Sequence, residues 1–328
     1  MEINMTQTPK IVALGGGTGL SVMLRGLKKY TENITAIVTM ADDGGGSGTL
    51  RHELGMLPPG DIRNCLLALA EIEPTMRDLF NYRFGEGNLR GQSFGNLFLA
   101  AMVGICDNFE EAVKRTGEVL AVHGKVIPVT CTDIHLCAHF EDGSEVLGES
   151  KIARAKKKCG SKITSVSLVP ECATPANDVI ESILGADIIL LGPGSLYTSI
   201  IPNLLVKGVV DAIKRSGAPV IYICNIMTQP GETEDYMAID HINAINEHAG
   251  GKIIDYCILN SGSIDPVMLH KYELDNSAPV LANAERIGDE GIKLICDDIY
   301  EITNNTIRHS STKLAKIIKN FWKEYKKD

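Results

Sequence analysis

The sequence predicts an α/β protein in which helices cover both faces of a mostly parallel sheet. Short apolar segments recur along the chain, most end in a cluster of Gly, Asp, Asn or Ser, and a stretch of helical character follows most clusters. Strands that alternate with helices form parallel sheets, which helices then cover. Residues 126–169 differ, because apolar and polar residues alternate there around a turn. This segment is predicted to form a small antiparallel β insertion.

The composition favours one α/β domain over residues 1–328, because 44% of the residues are hydrophobic and no linker interrupts the pattern. The 41 acidic and 32 basic residues give a net charge of −9, which argues against a non-specific nucleic-acid binder. An anionic small ligand is compatible with that charge, because backbone N–H groups and a few arginines can hold a phosphate. The sequence shows no membrane span and no apolar signal segment, and its nine cysteines include no C-x-x-C pair. We expect a cytoplasmic protein.

The first predicted strand, residues 10–14, precedes a glycine-rich loop at residues 15–19 and then a helical stretch. Glycine lets the backbone approach a ligand closely, and the N–H groups at the start of the next helix can bind a phosphate. The spacing matches neither the dinucleotide motif G-x-G-x-x-G nor a Walker A motif, so the loop alone is also compatible with a tight turn. The predicted ligand-binding residues of this loop are Gly16, Gly17, Thr18 and Gly19.

The second predicted strand, residues 35–40, leads into Asp42, Asp43 and Gly44. Asp42 lies 25 residues beyond Gly17, roughly where nucleotide-binding folds place an acid that contacts the ribose. An acid at this position could contact a ribose, hold magnesium through water or act as a general base, and the sequence leaves these alternatives open. We predict all three residues as ligand contacts and the two aspartates as candidate catalytic residues.

A helix is predicted over residues 62–71, with Asp61 at its N-cap position. Asp61 and Asn64 are candidate ligand contacts. Arg51 and Arg63 are the nearest cations that could pair with a ligand phosphate, although either could also form a surface salt bridge.

Two further helices are predicted at residues 93–106 and 110–123. Ser93 suits the N-cap of the first, whereas Asn96 is a poor helix former in its first turn. Local conflicts of this kind are typical of functional sites, so both residues are candidate ligand contacts.

The α/β pattern returns with strands predicted at residues 187–191 and 220–224, each followed by a polar loop. Ser195 in the first loop lacks the G-x-S-x-G context and a defined histidine base, so the loop is interpreted as a phosphate cradle rather than a nucleophile. The predicted ligand contacts of the two loops are Gly192, Gly194, Ser195, Tyr197, Asn225, Thr228 and Gln229.

A last buried strand is predicted at residues 252–259 and a closing amphipathic helix at 310–325. Arg308 lies at a strand end just before that helix, where it could reach a diphosphate. In open α/β sheets, ligands bind in the crevice outside the carboxyl ends of the strands, so these distant clusters should converge. The domain is therefore predicted to bind a phosphate-bearing nucleotide there.

Cys131, Asp133, His135, Cys137 and His139 alternate along one predicted strand and would project from one face. Side chains two residues apart on a strand are separated by about 6.6 Å along the chain, whereas zinc ligands lie about 2.0–2.3 Å from the metal. At most two neighbours could then share one ion, so we predict no metal site on this strand.

Seven motifs in order, GGGTG, ADDGGGSG, PPGDIRN, GQSFGN, GPGSLYTS, NIMTQPGET and IRHSSTKLA, together resemble the YvcK-type gluconeogenesis factors. These factors belong to a larger family with the 2-phospho-L-lactate transferases. The resemblance covers nearly the whole chain and implies a Rossmann-like three-layer sandwich. It also implies a role in cell shape and in growth on gluconeogenic carbon sources, with UDP-sugars, notably UDP-N-acetylglucosamine, as ligands. The ligand residues it implies are Gly16, Gly17, Thr18, Gly19, Asp42, Ser195, Asn225 and Arg308.

The sequence departs from the family pattern at two positions. Gly46 replaces the first serine of the usual Gly-Gly-Ser-Ser-Gly loop, so one hydroxyl contact is missing. Gln92 stands where a histidine is common, which removes a protonation role at that position.

Three functions compete. A nucleotide-sugar-binding regulator without turnover agrees with the absence of a clear catalytic pair. A transferase resembling 2-phospho-L-lactate transferase would move a phospho-linked group from an activated nucleotide to an acceptor, with magnesium or a general base at the two aspartates. A dinucleotide-dependent oxidoreductase is disfavoured by the missing fingerprint. For the regulator we expect protein partners in cell-wall or carbon regulation, no nucleic acid, no membrane span and a homodimer.

Overall fold

The computed structural model describes residues 8–326 of the chain. Its strands are, in chain order, β1 (Ile11–Gly15), β2 (Ile34–Val38), β3 (Lys125–Pro128), β4 (His135–Phe140), β5 (Glu145–Leu147), β6 (Ile163–Val169), β7 (Ile188–Leu191), β8 (Val220–Ile223), β9 (Tyr256–Asn260), β10 (Lys293–Asp297), β11 (Tyr300–Thr303) and β12 (Thr306–His309). Its α-helices are α1 (Gly17–Leu27), α2 (Gly45–Leu54), α3 (Gly60–Leu69), α4 (Pro74–Asn81), α5 (Phe94–Ile105), α6 (Phe109–Val119), α7 (Glu149–Cys159), α8 (Val179–Leu184), α9 (Ile201–Leu204), α10 (Val209–Ser216), α11 (Ala238–His248), α12 (Pro266–Glu273), α13 (Ala284–Asp289) and α14 (Ser311–Tyr325). A π-helical turn, Leu196–Ile200, precedes α9.

Seven strands form one parallel sheet in the order β10-β9-β8-β7-β1-β2-β3. All five residues of β1 are buried. Because successive side chains of a strand point to opposite faces, both faces of the sheet must be covered. The predicted Rossmann-like three-layer α/β fold is confirmed.

The spacing of the apolar residues in α1 explains which face of this helix is buried. Leu20, Met23, Leu24 and Leu27 are fully or almost fully buried and follow the i, i+3, i+4, i+7 spacing of one helix face. That face lies in the core, and α1 also packs against α3 and α14. The glycine-rich loop before α1 is therefore held at the end of the central strand.

The strand order reverses at β1. The chain moves from β1 outward through β2 and β3 on one side, whereas β7 pairs with β1 on the other side and leads outward through β8, β9 and β10. The loops that follow β1 and β7 therefore lie next to each other at the carboxyl edge, beside the crevice in which ligands bind in such sheets. A separate antiparallel pair, β11–β12, leads into α14.

The antiparallel insertion is shorter than predicted and contains a helix. The sheet β5-β4-β6 spans His135–Val169, and α7 lies between β5 and β6. The first residues of the predicted segment instead form β3, in which Val126 pairs with Ala36 of β2. An alternating pattern does not distinguish an edge strand of the main sheet from a strand of a separate sheet.

The helix predicted at residues 62–71 begins earlier, at Gly60, and Pro59 occupies its N-cap position. The prediction that Asp61 caps this helix is wrong. The Asp61 carboxylate instead accepts a hydrogen bond from the Gly17 N–H, so it connects the start of α3 to the start of α1.

No single helix within residues 8–326 is both long and apolar enough to span a membrane. One pair, Leu196–Leu204 with Val209–Ser216, has the required length and composition, but its members are bent by 76° relative to each other.

Gly26 tests the packing of α1 on α14. A Cβ atom at Gly26 would overlap the Ser311 carbonyl oxygen and lie 2.9 Å from the Ala315 Cβ. Gly26→Ala should therefore lower the free energy of unfolding by about 1–3 kcal/mol, measured by urea denaturation. Gly288→Ala is the matched control in α13, because a Cβ there would meet no atom within 4 Å. Equal losses in the two variants would contradict the packing described.

Candidate functional site

A crevice of about 890 Å³ opens at the carboxyl ends of β1, β7 and β8, next to the reversal of strand order. Its volume lies within the range of roughly 300–1,000 Å³ that is usual for small-molecule sites. The predicted ligand contacts that line it are Gly16, Gly17, Thr18, Gly19, Asp42, Asp61, Asn64, Gly194, Ser195, Asn225, Thr228, Gln229 and Arg308. The structure thus brings together loops that lie almost 300 residues apart in sequence.

The other predicted contacts lie outside this lining. They are Asp43, Gly44, Arg51, Arg63, Ser93, Asn96, Gly192 and Tyr197. Tyr197 is buried, and its hydroxyl lies 2.8 Å from the Tyr236 hydroxyl. Gly44 is the N-cap residue of α2, Asn96 is buried in the first turn of α5, and Gly192 provides a left-handed turn with φ +83°. These residues shape the loops rather than face the ligand space.

The first glycine-rich loop depends on close backbone approaches. A Cβ at Gly16 would lie 2.5 Å from the Thr39 methyl and 2.7 Å from an Asp61 oxygen, and a Cβ at Gly19 would lie 2.6 Å from the Pro193 carbonyl oxygen. Gly16 is also the N-cap residue of α1 and offers no side-chain cap. The positive end of the α1 dipole therefore faces the crevice with little side-chain cover.

Three carboxyl groups, those of Asp42, Asp61 and Glu149, line the same crevice. Burial and then the charge of Asp42 raise the pKa of Asp61 to about 6, against the opposing effect of the Gly17 N–H. Burial and then the charges of Asp42 and Asp61 raise the pKa of Glu149 to about 8. The raised pKa values of Asp61 and Glu149 show that further negative charge is disfavoured here, and a bound cation would offset that effect.

Asp43 has a different role from its neighbour Asp42. One oxygen of its carboxylate accepts a hydrogen bond from the Ser150 N–H at 2.8 Å, in the first turn of α7. The adjacent Gly148 has φ +107°, and a Cβ there would lie 2.6 Å from the other Asp43 oxygen. The Asp43 carboxylate thus connects the first turn of α7 to the loop after β2. This contact positions Glu149, the first residue of α7, in the crevice.

A hydrogen-bonded chain of side chains runs along another wall of the crevice. The Asn225 amide N–H₂ donates to Gln229 Oε1 at 3.2 Å, and Gln229 Nε2 donates to Ser195 Oγ at 2.8 Å. The Gln229 backbone N–H donates to Thr233 Oγ1 at 2.9 Å, which holds the loop. This direction leaves the Asn225 carbonyl oxygen as an acceptor and the Ser195 hydroxyl hydrogen as a donor for a ligand.

The two predicted arginine contacts hold other residues in position. Arg63 donates to Ser93 Oγ with one terminal nitrogen and to Asn64 Oδ1 at 2.7 Å with the other. Because Asn64 lines the crevice and its oxygen is already occupied, its N–H₂ group is the part left to donate to a ligand. Arg51 pairs with Asp133 at 2.5 Å and thereby anchors the start of the insertion.

The β11–β12 pair also contributes to the lining of the crevice. Glu301 of β11 and Arg308 of β12 are register partners, and both line the crevice. Arg25 of α1 and His309 also line it. The His309 Nε2 lies 3.1 Å from the Cys224 carbonyl oxygen, and burial lowers the pKa of His309 to about 4, so this imidazole is neutral near pH 7.

Sequence reasoning missed several lining residues. They include Arg25, Thr39, Glu149, Thr198, Ser199, Tyr272, Asp275, Ser277 and Glu301. Glu149 had a usable signal, because it follows a strand and a glycine and begins a helix, as the predicted contacts do elsewhere. Its position inside the insertion concealed that signal. Arg25 and Glu301 lie within ordinary helix and strand patterns, which carry no comparable signal.

The alternating Cys/His segment is only partly a strand. Cys131 and Asp133 precede β4, whereas Cys137 and His139 lie on it and Glu145 joins them from β5. One potential ligand atom from each of these last three lies within 4.8 Å of the others. The His139 nitrogens already contact Glu145 Oε1 at 3.1 Å and Ser167 Oγ at 2.8 Å. The prediction of no metal site considered only ligands along one strand, and therefore left out the Glu145 carboxylate on the neighbouring strand β5.

Comparison with known proteins places the chain in a defined group. The family profile described as 2-phospho-L-lactate transferase CofD matches residues 11–300. A putative gluconeogenesis factor of Thermoanaerobacterium thermosulfurigenes is 57% identical over 310 residues, covering 94% of this chain and 96% of that protein. The gluconeogenesis factor of Bacillus subtilis is 48% identical over 321 residues, covering 98% and 100%. A crystal structure of a Bacillus halodurans protein superposes with a TM-score of 0.91 at 45% identity, covering 95% and 99%.

Glu149 should make stability depend on pH. Its pKa is raised in the folded state, so its stabilising contribution is complete below about pH 4.5 and is lost as the pH rises through about 8. Glu149→Gln should match the wild type near pH 4.5 and be more stable near pH 9, by on the order of 3 kcal/mol. Urea denaturation across this pH range measures the difference.

Glu141→Gln is the control, because Glu141 is an exposed carboxylate in the turn between β4 and β5. That variant should follow the wild-type pH profile. A Glu149→Gln profile parallel to the wild type would contradict a Glu149 whose pKa is raised by burial and by neighbouring carboxylates.

Proposed function

The chain belongs to the CofD family, and we propose that it is a gluconeogenesis factor that binds a nucleotide sugar and acts as a cytoplasmic regulator. The relatives named gluconeogenesis factor align over nearly the whole chain, which supports this proposal. The proposed ligand is a UDP-sugar, UDP-N-acetylglucosamine in particular. The proposed roles are the control of cell shape and of growth on gluconeogenic carbon sources, through protein partners in cell-wall or carbon regulation.

The hydrogen bonds that link Asn225, Gln229 and Ser195 are the observation that supports the proposed ligand class. They leave the Asn225 carbonyl oxygen as an acceptor and the Ser195 hydroxyl as a donor on the same wall of the crevice. A pyrimidine ring such as uracil presents a complementary N–H donor and carbonyl acceptors. A buried polar site of this kind discriminates strongly, because a ligand without the matching groups would leave its donors and acceptors unpaired.

The phosphates would lie between the start of α1 and the basic side chains of the crevice. The uncapped N–H groups of α1 suit an anion, and Arg25 and Arg308 supply positive charge on the lining. The carboxylates of Asp42, Asp61 and Glu149 oppose this arrangement, because they would repel a diphosphate. Protonation or a cation must offset that repulsion.

Magnesium fits this requirement. Asp42, Asp61 and Glu149 offer only oxygen donors, and the charge of Asp42 contributes to the raised pKa values of Asp61 and Glu149. Carboxylates together with ligand phosphates are the usual surroundings of Mg²⁺ in proteins. Within the described residues these three carboxylates do not all come within 4.8 Å of one another. One or two of them, together with ligand phosphate and water, would therefore hold a magnesium ion that neutralises carboxylate and phosphate charge.

Regulation without turnover is supported by the surroundings of Ser195, the serine of the glycine-rich loop after β7. Ser195 Oγ accepts from an amide, and the Gln229 side chain that contacts it cannot take up its proton. A hydroxyl in this setting binds ligand groups rather than attacks them.

A transferase is the second candidate function. The family profile carries the description of a transferase, and the crevice has a lining that extends from Asn81 of α4 to Thr303 and Thr306 of the β11–β12 pair. This extent leaves room for an acceptor beside a nucleotide. Asp42 would then act with magnesium near the transferred phosphoryl group. Mass spectrometry after incubation with an activated nucleotide donor and a flavin-like acceptor separates the two functions, because a product would favour the transferase.

Isothermal titration calorimetry with UDP-N-acetylglucosamine tests the proposed ligand directly. Saturable binding below millimolar concentration is the expected result. Absence of saturable binding for any UDP-sugar, with and without Mg²⁺, would overturn the proposal. Complementation of a Bacillus subtilis strain that lacks its gluconeogenesis factor, on a gluconeogenic carbon source, tests the physiological role.

Arg308→Ala should weaken UDP-N-acetylglucosamine binding by on the order of 10-fold, because one charge-assisted contact to phosphate is lost. Arg286→Ala is the control, since Arg286 is exposed on α13 and does not line the crevice. The measurement is calorimetry at fixed ionic strength. Unchanged affinity in Arg308→Ala would remove this residue from the binding site.

Asp42→Asn should reduce the gain in affinity that Mg²⁺ gives. For the wild type, Mg²⁺ should tighten nucleotide-sugar binding, because it offsets carboxylate–phosphate repulsion. In Asp42→Asn the repulsion is smaller, so binding without Mg²⁺ should be tighter and the response to Mg²⁺ weaker. Titrations with and without Mg²⁺ measure both effects, and an identical Mg²⁺ response in the two proteins would contradict the assignment.

A further inference from the structure

Cys137, His139 and Glu145 form a cluster of potential metal ligands in the antiparallel insertion, outside the lining of the crevice. Cys137 and His139 lie two residues apart on β4 and therefore project from the same face, and Glu145 of β5 is the register partner of His139. Within residues 8–326 this is the one group of three or more such side chains whose ligand atoms all lie within 4.8 Å of one another. We call these three residues the β4–β5 cluster.

The strand pairing brings two of the ligands close together. The Phe140 N–H donates to the Ser144 carbonyl oxygen, so the next pair along the ladder, His139 and Glu145, is a non-hydrogen-bonded pair. Side chains of such pairs are closer to each other than those of the hydrogen-bonded pairs on either side. The proximity of the imidazole and the carboxylate is thus fixed by the register of the hairpin.

The distances agree with a tetrahedral metal site. Zinc lies about 2.0–2.2 Å from nitrogen and oxygen ligands and about 2.3 Å from sulfur, so tetrahedral N and O ligands are about 3.3 Å apart and sulfur is about 3.6 Å from either. The His139 Nδ1 lies 3.1 Å from Glu145 Oε1. An ion between these two atoms would need little movement of either, and the Cys137 Sγ would have to approach by roughly 1.2 Å at most.

The surroundings of His139 suit the orientation of a ligand. Its Nε2 lies 2.8 Å from the Ser167 Oγ on β6, and this hydroxyl oxygen can accept the Nε2–H. In that tautomer Nδ1, on the side of Glu145, carries the lone pair that binds a metal. Metal-bound histidines almost always donate their other ring N–H to an oxygen acceptor in this way.

The donor set selects the class of ion. A thiolate and an imidazole together with one carboxylate suit zinc or a similar transition metal, whereas Mg²⁺ and Ca²⁺ take oxygen ligands. Three protein ligands leave the fourth tetrahedral position to water, as in open zinc sites. The side chains of His139 and Glu145 are 32% and 66% exposed, so an ion can reach the cluster from solvent.

We propose that the β4–β5 cluster binds one zinc ion. The ion would join β4 to β5, an edge strand of the three-stranded sheet. Glu145 lies four residues before Glu149, which begins α7 and lines the crevice, so the ion would brace the hairpin that leads into this helix. The site does not depend on which ligand the crevice binds.

Titration of the purified chain with Co²⁺ tests the proposal, after metal has been removed with a chelator and the thiols have been reduced. A thiolate ligand gives Co²⁺ a strong charge-transfer absorption, which a site made only of carboxylates, such as that proposed in the crevice, does not give. The wild type should bind Co²⁺ with this absorption at one ion per chain. Zn²⁺ should displace the Co²⁺, whereas excess Mg²⁺ should not.

Cys137→Ser should abolish the charge-transfer absorption. Glu145→Gln should raise the Co²⁺ dissociation constant by on the order of 100-fold, since the loss of even an outer partner of a metal ligand costs about 10–100-fold in affinity. Cys296→Ser is the matched control, because Cys296 is an exposed free cysteine on β10 of the main sheet. That variant should behave like the wild type.

Circular dichroism must show that the variants are folded. If Cys137→Ser does not fold, Glu145→Gln decides, because the Glu145 side chain is exposed and its replacement leaves the core intact. A wild type without the charge-transfer absorption would overturn the proposal and leave His139 and Glu145 as a hydrogen-bonded pair only. It would also be overturned if folded Cys137→Ser kept the absorption, if Glu145→Gln bound Co²⁺ as tightly as the wild type, or if Cys296→Ser lost the absorption.

Discussion

The close approach of two glycine loops at the reversal of strand order is the constraint on which the crevice depends. Gly19 of the first loop lies against the Pro193 carbonyl, and a Cβ at Gly194 would lie 3.4 Å from the Gly16 carbonyl oxygen. Any side chain at these positions would push the loops apart. Gly16 also gives α1 no side-chain cap, so the start of the helix is open to an anion except where the Asp61 carboxylate accepts from the Gly17 N–H.

That arrangement places negative charge beside an anion site. The Asp61 carboxylate accepts from the Gly17 N–H and so occupies part of the positive end of α1, while Asp42 and Glu149 lie in the same crevice. The charge of Asp42 contributes to the raised pKa values of Asp61 and Glu149, so these two groups lower the stability of the fold as the pH rises through their pKa values. The proposed magnesium ion would offset this repulsion when a phosphate ligand binds.

The sequence was sufficient to predict the layer architecture and several of the loops that line the crevice, because polar clusters at strand ends mark one edge of a parallel sheet. It could not predict the partner of Arg63. Whether this guanidinium contacts a ligand phosphate or the side chains of Asn64 and Ser93 depends on distances that only the folded chain defines. Glu149 follows a strand and a glycine and begins a helix, which is a usable local signal, but the sequence does not show that the insertion folds back over the acidic loop. The start of the insertion was misplaced for a similar reason, as strand pairing in β3 is decided by tertiary contacts.

The position of α7 bears on whether a bound ligand is sensed. Asp43 fastens its first turn to the loop after β2, and Lys156 donates to the Glu232 carbonyl oxygen at 2.9 Å and pairs with Glu234 in the loop after β8. Those two loops carry Asp42 and Gln229, which both line the crevice. α7 therefore contacts both loops, and its side chains Lys151, Arg154 and Lys158 are exposed to solvent. A helix that joins the crevice to the surface in this way suits the proposed regulator, because a change in either loop would be felt at an exposed surface.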